Sequence, residues 1–171
     1  MSVFFSGGEI LEMAMGIEKN GIAFYDTLAE KSSDKDIRSL YTYLSDEEKK
    51  HLISFRNMAG PEGKYVPGGS YPGEYMRYLK SLIDSVVFTD IANARRLAEN
   101  AVSDYNAIDT GIQAEKDSIL FYSELRNIVS VPDRKIVDSI IEAEKDHLRQ
   151  LSELKVMMKD KEGDNGSKKS R

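Results

Sequence analysis

Residues 48–52 read EKKHL and residues 144–148 read EKDHL. Each stretch holds a Glu-x-x-His pair, Glu48 with His51 and Glu144 with His147. A lone glutamate lies about thirty residues upstream of each pair, Glu18 and Glu115. The lone glutamates are offset by 97 residues, and both members of Glu-x-x-His by 96. The chain therefore carries a duplicated set of four carboxylates and two imidazoles. On a helix, the i, i+3 spacing puts Glu and His on one face. Brought together inside a helix bundle, the six groups make a site for two metal ions.

The residues around them supply the bundle. The stripe around Glu18 reads Leu11, Met15, Glu18, Ile22, Tyr25, Ala29. Around Glu48 it reads Ile37, Tyr41, Leu44, Glu48, His51, Phe55, Met58. The third stripe reads Ile108, Ile112, Glu115, Ile119, Tyr122, Arg126, Val129, and the fourth Val137, Ile140, Glu144, His147, Leu151, Leu154, Met158. Steps of four and three alternate throughout, the pattern of a bundle seam. Each seam is apolar except near its middle, where the carboxylates and imidazoles sit. A lone carboxylate in an apolar core costs several kcal/mol unless it is paired, protonated or bound to metal. Two divalent cations balance four carboxylates, with both histidines as neutral donors.

Helix signals place these stripes. Ser6-Gly7-Gly8-Glu9 reads as a capping box that starts a first long helix, about 8–30. Ser32-Ser33-Asp34 breaks the chain, and a second helix runs to about Ala59, stopped by Gly60-Pro61. Residues 61–73 hold three of the four prolines and four glycines, so an irregular connection is expected. Short amphipathic helices are expected over 74–88 and 90–101. A third long helix spans about 103–129. Pro132 suits the first turn of a fourth, which runs to about Lys159. The charged tail 159–171 is expected to be disordered. The fold class is all-α: an antiparallel four-helix bundle over 1–158, with one long helical crossover between the second and third long helices.

Composition excludes several classes. Cysteine is absent, so disulfides, zinc fingers and thiolate-held iron centres are ruled out. Any metal must be held by oxygen and nitrogen. Net charge is −5 with basic residues spread along the chain, so neither nucleic acid nor an anionic membrane is an expected partner. No run of about eighteen apolar residues occurs, so no membrane span is expected. No basic stretch precedes an apolar one at 1–9, so no signal peptide is expected and a cytoplasmic location is.

The internal repeat extends beyond the ligands. Residues 17–25 read IEKNGIAFY and residues 114–122 read AEKDSILFY. At these residues the chain resembles the ferritin-like di-iron carboxylate superfamily, and within it the di-iron domain of rubrerythrins. The likeness covers about 8–158. It implies a ferritin-like fold and two iron ions, with manganese or zinc as possible substitutes and no haem. It implies Glu18, Glu48, His51, Glu115, Glu144 and His147 as the ligands, with Glu48 and Glu144 bridging. Tyr25 and Tyr122, one heptad beyond the lone glutamates, would donate to ligand carboxylates. Phe24 and Phe121 read as packing. Gly16 and Gly21 flank Glu18; close helix contact is the first reading of them, room for a small substrate the second.

Two departures stand out. Rubrerythrins usually carry a further glutamate one turn after the third-helix ligand, and here that position is Ser118. Their C-terminal rubredoxin domain, with its cysteines, is missing. The implied function is reduction of hydrogen peroxide or dioxygen. The electrons come from an external donor protein, rubredoxin-like or a flavoprotein, and a homodimer is expected from family habit. An iron-handling or iron-storage ferroxidase of the ferritin type is the alternative. A bundle with structural zinc or no metal is a third.

Overall fold

The computed structural model describes residues 7–60 and 73–168. Helix α1 spans Gly7–Lys31, α2 Lys35–Ala59, α3 Gly73–Asp84, α4 Ile91–Glu99, α5 Asp104–Ile128 and α6 Arg134–Lys168. The Ser6 cap and the Pro/Gly connection over 61–72 lie outside the described residues.

Local chemistry sets the boundaries. Asp34 caps α2, its Oδ1 accepting from the Asp36 and Ile37 backbone N–H groups at 2.9 and 3.1 Å. Gly60 ends that helix at φ 70°, a left-handed conformation that glycine adopts without a steric penalty. Asp90 and Ser103 cap α4 and α5 in the same manner. Pro132 lies in the turn just before α6 rather than in its first helical turn.

The buried residues form two clusters, one on each side of the polar layer. One joins Leu11 of α1, Phe55 of α2, Tyr122 and Leu125 of α5, and Val137 and Ile140 of α6. The other joins Phe24 and Leu28 of α1, Ile37 and Tyr41 of α2, Ile108 of α5, and Leu151 of α6. The start of α1 thus meets the ends of α2 and α5, and the start of α6 meets those same ends. Adjacent long helices are therefore antiparallel. Each 25-residue helix is about 38 Å long at 1.5 Å per residue. The chain must travel that length between α2 and α5. It does so through α3, whose Leu79 joins the first cluster, and α4, whose Ala94 and Ala98 join the second.

Several seam residues differ from expectation. Met15, Ile22, Ala29, Ile112, Ile119, Leu154 and Met158 are only half-buried, while Ala14, Phe24, Leu28, Phe121, Leu125 and Ile128 are buried. For α1 and α5 the cause is the crossover. Helix α1 packs on α4, and α5 packs on α3, in addition to their bundle neighbours, so their apolar stripes must be wider than a seam. Phe24 meets Phe88 of the α3–α4 turn, ring centroids 4.6 Å apart. Arg126 leaves the seam altogether and pairs with Asp138 at the surface. Helix α6 continues to Lys168, through most of the segment expected to be a disordered tail. Residues 155–162 read KVMMKDKE, largely strong helix formers, which favour continuation of the helix.

Candidate metal centre

The polar layer brings all six sequence-predicted ligands together. Glu18, Glu48, His51, Glu115, Glu144 and His147 are each at least 95 % buried. They form two overlapping groups. Glu18, Glu48, His51 and Glu144 can each turn one ligand atom to a common point, and so can Glu48, Glu115, Glu144 and His147. Within each group those atoms lie within 4.8 Å of one another. Glu48 and Glu144 belong to both groups; each lone glutamate and each histidine belongs to one.

The distances repeat the two-fold pattern of the sequence. His51 Nδ1 lies 2.9 Å from Glu144 Oε1, 3.2 Å from Glu48 Oε2 and 3.7 Å from Glu18 Oε2. His147 Nδ1 lies 3.3 Å from Glu144 Oε2, 3.7 Å from Glu115 Oε2 and 3.9 Å from Glu48 Oε1. The imidazole rings are 5.7 Å apart and nearly parallel, at 25°.

The tyrosines cross the two-fold. Tyr122 of α5 donates to Glu18 Oε1 on α1, at 2.5 Å. Tyr25 of α1 donates to Glu115 Oε1 on α5. Each lone glutamate is thus held by one oxygen and turns the other toward the histidine of its own group. Burial, and then the negative charge of the carboxylate it touches, hold both hydroxyls well above the ordinary tyrosine range. They remain donors at any working pH. Gly111 makes room for this contact: a Cβ there would lie 3.2 Å from Tyr25 Oη and 3.3 Å from Leu151 Cδ1. In Gly111→Ala protein, helix propensity improves by about 1 kcal/mol, yet the Tyr25 hydroxyl is forced off Glu115. Metal affinity is expected to fall about 10–100-fold, as when a ligand loses its orienting partner. Tyr25→Phe should match it in a competitive chelator titration.

Without metal, the cluster is electrostatically strained. Burial, and then the charge of Glu48, push the Glu18 carboxyl well above the ordinary carboxylate range. Burial and the Glu144 charge do the same to Glu115. Burial also opposes charge on the histidines, but their carboxylate acceptors outweigh it. Glu144, Glu18 and Glu48 hold His51 far above its usual value, and Glu115 and Glu144 hold His147 at about 11. Burial likewise opposes charge on Glu144, yet His147 and His51 keep it below the ordinary range. A group whose folded pKa is raised binds more protons folded than unfolded, so stability falls as pH rises between the two values. For His147 that window runs from about 6.5 to about 11, and the raised lone glutamates have the same sign. The thermal midpoint of metal-free protein should therefore fall across this window. Metal-loaded protein should show no such slope there, because its ligands have already shed their protons.

The residues fit metal better than they fit one another. Glu115 Oε2 and Glu144 Oε1 are buried without a hydrogen bond, although Glu144 Oε1 is close to His51. Buried acceptors in that state are costly, and a cation at each group satisfies them. An all-oxygen-and-nitrogen donor set suits iron or manganese.

A cavity of about 20 Å³ adjoins the layer between α1 and α5. Glu18, Gly21, Glu48, Glu115 and Ser118 line it, and Val86–Phe88 of the α3–α4 turn closes it. Asn20 and Asp117 fasten that turn: Asn20 Nδ2 donates to the Phe88 carbonyl at 3.1 Å, and the Val87 N–H donates to Asp117 Oδ2 at 2.8 Å. A Cβ at Gly21 would lie 3.4 Å from Glu48 Cγ and 3.5 Å from its Oε1, ordinary van der Waals contact, whereas one at Gly16 would meet nothing within 4 Å. Close helix contact is therefore wrong for Gly16 but fits Gly21, which packs against Glu48 of α2 and also lines the cavity. Sequence reading missed Asn20, Asp117 and the closing turn. The signal was present in the repeated tetrads Glu-Lys-Asn-Gly (18–21) and Glu-Lys-Asp-Ser (115–118). Their third residues are the two fasteners.

A family model described as Rubrerythrin matches residues 9–155. No curated protein matches the chain. A crystal structure from Thermotoga maritima, described as a ferritin-like diiron-carboxylate protein, is 28 % identical to it. That match covers 88 % of this chain and 95 % of the other, with a TM-score of 0.64.

Proposed function

The chain belongs to the rubrerythrin family, and we propose that it is a non-haem di-iron oxidoreductase that reduces hydrogen peroxide or dioxygen with electrons from a separate donor. The observation that carries the proposal is the sharing of Glu48 and Glu144 between two otherwise separate ligand groups. Sharing holds two ions close enough to act on one small molecule. The Thermotoga maritima structure, described as a diiron-carboxylate protein, supports iron as the metal.

A bound iron pair would supply the electrons for the reduction; the protein supplies the setting. Glu18 and His51 hold one side, Glu115 and His147 the other, and Glu48 and Glu144 join them. Tyr25 and Tyr122 keep the lone carboxylates aimed inward. The cavity has room for a small substrate: on the order of 10–15 Å³ holds one water, so about 20 Å³ accommodates a peroxide-sized molecule. The absence of cysteine leaves no thiolate-held relay in the chain, so a rubredoxin-like protein or a flavoprotein is the proposed donor. We place the protein in the cytoplasm as a homodimer, with no nucleic-acid or membrane partner. Among the described residues, no helix is long and apolar enough to cross a membrane.

Stopped-flow mixing of anaerobically Fe²⁺-loaded protein with peroxide or dioxygen tests the proposal. Rapid oxidation by at least one of them is expected. No reaction with either, at full metal content, would reject it.

A further inference from the structure

The cavity is lined in pairs related by the internal repeat: Glu18 with Glu115, Gly21 with Ser118, and Asn20 with Asp117, each 97 residues apart. Apart from Ser118, the polar side chains on its wall belong to the metal layer or to the fastening of the closing turn. The lone glutamates receive tyrosine hydrogen bonds and face the histidines. Asn20 and Asp117 are spent on the closing turn.

Ser118 differs. It is 8 % exposed, and its hydroxyl makes no hydrogen bond among the described residues. Other helical serines here, such as Ser54, Ser81, Ser123 and Ser139, donate to the carbonyl four residues back. Unlike Tyr41 Oη, its oxygen is not among the sealed, unpartnered polar atoms of the described residues, and Ser118 lines the cavity. Gly21, its repeat partner on α1, carries no hydroxyl, and a Cβ there would sit in ordinary van der Waals contact with Glu48.

We propose that Ser118 selects hydrogen peroxide over dioxygen by hydrogen-bonding a peroxide oxygen in this cavity. The inference rests on the peroxide- or dioxygen-reducing reading above. Its chemical basis is that peroxide both donates and accepts strong hydrogen bonds, whereas dioxygen is a poor acceptor. A hydroxyl with no other partner therefore favours the first and is indifferent to the second.

The test compares wild type, Ser118→Ala and Ser118→Gly/Gly21→Ser, all loaded with Fe²⁺. A net hydrogen bond of about 1.4 kcal/mol corresponds to about tenfold. Ser118→Ala should raise the KM for peroxide about tenfold with kcat and metal content unchanged, and should leave the dioxygen rate within about twofold. Azide, as a probe anion that accepts hydrogen bonds, should bind the oxidised variant correspondingly more weakly by visible absorption. The double variant moves the hydroxyl across the pseudo-two-fold, and should restore the peroxide KM. An unchanged peroxide KM, an equal loss toward dioxygen, or a loss of metal from Ser118→Ala would each overturn the assignment. A double variant still impaired at full metal content would do the same. If wild type reacts with peroxide and Ser118→Ala matches it, the role of Ser118 alone falls. If wild type reacts with neither oxidant, both readings fall together.

Discussion

Replacing Glu144 by alanine is expected to remove both ions, whereas replacing Glu18 by alanine removes one. The difference follows from membership. Glu144 reaches 2.9 Å from His51 with one oxygen and 3.3 Å from His147 with the other, and it belongs to both ligand groups. Glu18 belongs to the His51 group only. Without Glu144 each group retains three of its four residues, and two positive ions would be left close together with less negative charge between them. Loss of an orienting partner alone costs about 10–100-fold in metal affinity, so loss of a shared ligand should exceed that range at both positions. Glu48→Ala should behave as Glu144→Ala does, and Glu115→Ala as Glu18→Ala. Metal analysis after gel filtration separates the cases. Retention of one tightly held ion in Glu144→Ala protein would show that the groups are independent.

Removing the metal should destabilise the fold, and neutralising one lone glutamate should restore part of the loss. A ligand present at about a thousand times its Kd stabilises by about 4 kcal/mol. In a chain of this size each kcal/mol moves the thermal midpoint by about 2–4 °C, so chelation is expected to lower it by about 10 °C. The remaining strain lies in Glu18 and Glu115, buried beside other carboxylates. Glu18→Gln removes the ionisable group that is costly to bury and keeps an oxygen to accept from Tyr122, which Glu18→Leu would leave unpaired. Chelated Glu18→Gln protein should melt above chelated wild type, while in excess metal the order reverses. A metal-free midpoint equal in the two proteins would mean that Glu18 is not a buried charge.

Much of this was legible in the chain. The ligands could be found because a bundle seam is periodic, and a carboxylate interrupting it has few stable fates. The duplication then matched the six residues across helices that no local pattern could connect. The resemblance implied that Tyr25 and Tyr122 donate to ligand carboxylates, but not which ones. Each hydrogen-bonds the glutamate of the facing helix, a fact set by how α1 crosses α5. The widths of the α1 and α5 stripes were hidden for the same reason, because Phe24 and Phe121 bury against elements a heptad does not represent. Arg126 occupied a seam position by spacing but reached Asp138 at the surface, since a guanidinium avoids burial when a carboxylate is available in water. The cavity was invisible altogether. Its closing turn, Val86–Phe88, is fastened by Asn20 and Asp117; the repeated tetrads mark these two residues but do not say what they hold.

Anaerobic titration with Fe²⁺, counting ions retained per chain, addresses the shared di-metal centre most directly. Two ions per chain are expected, one for each group that Glu48 and Glu144 join. A plateau at one ion or none would contradict it.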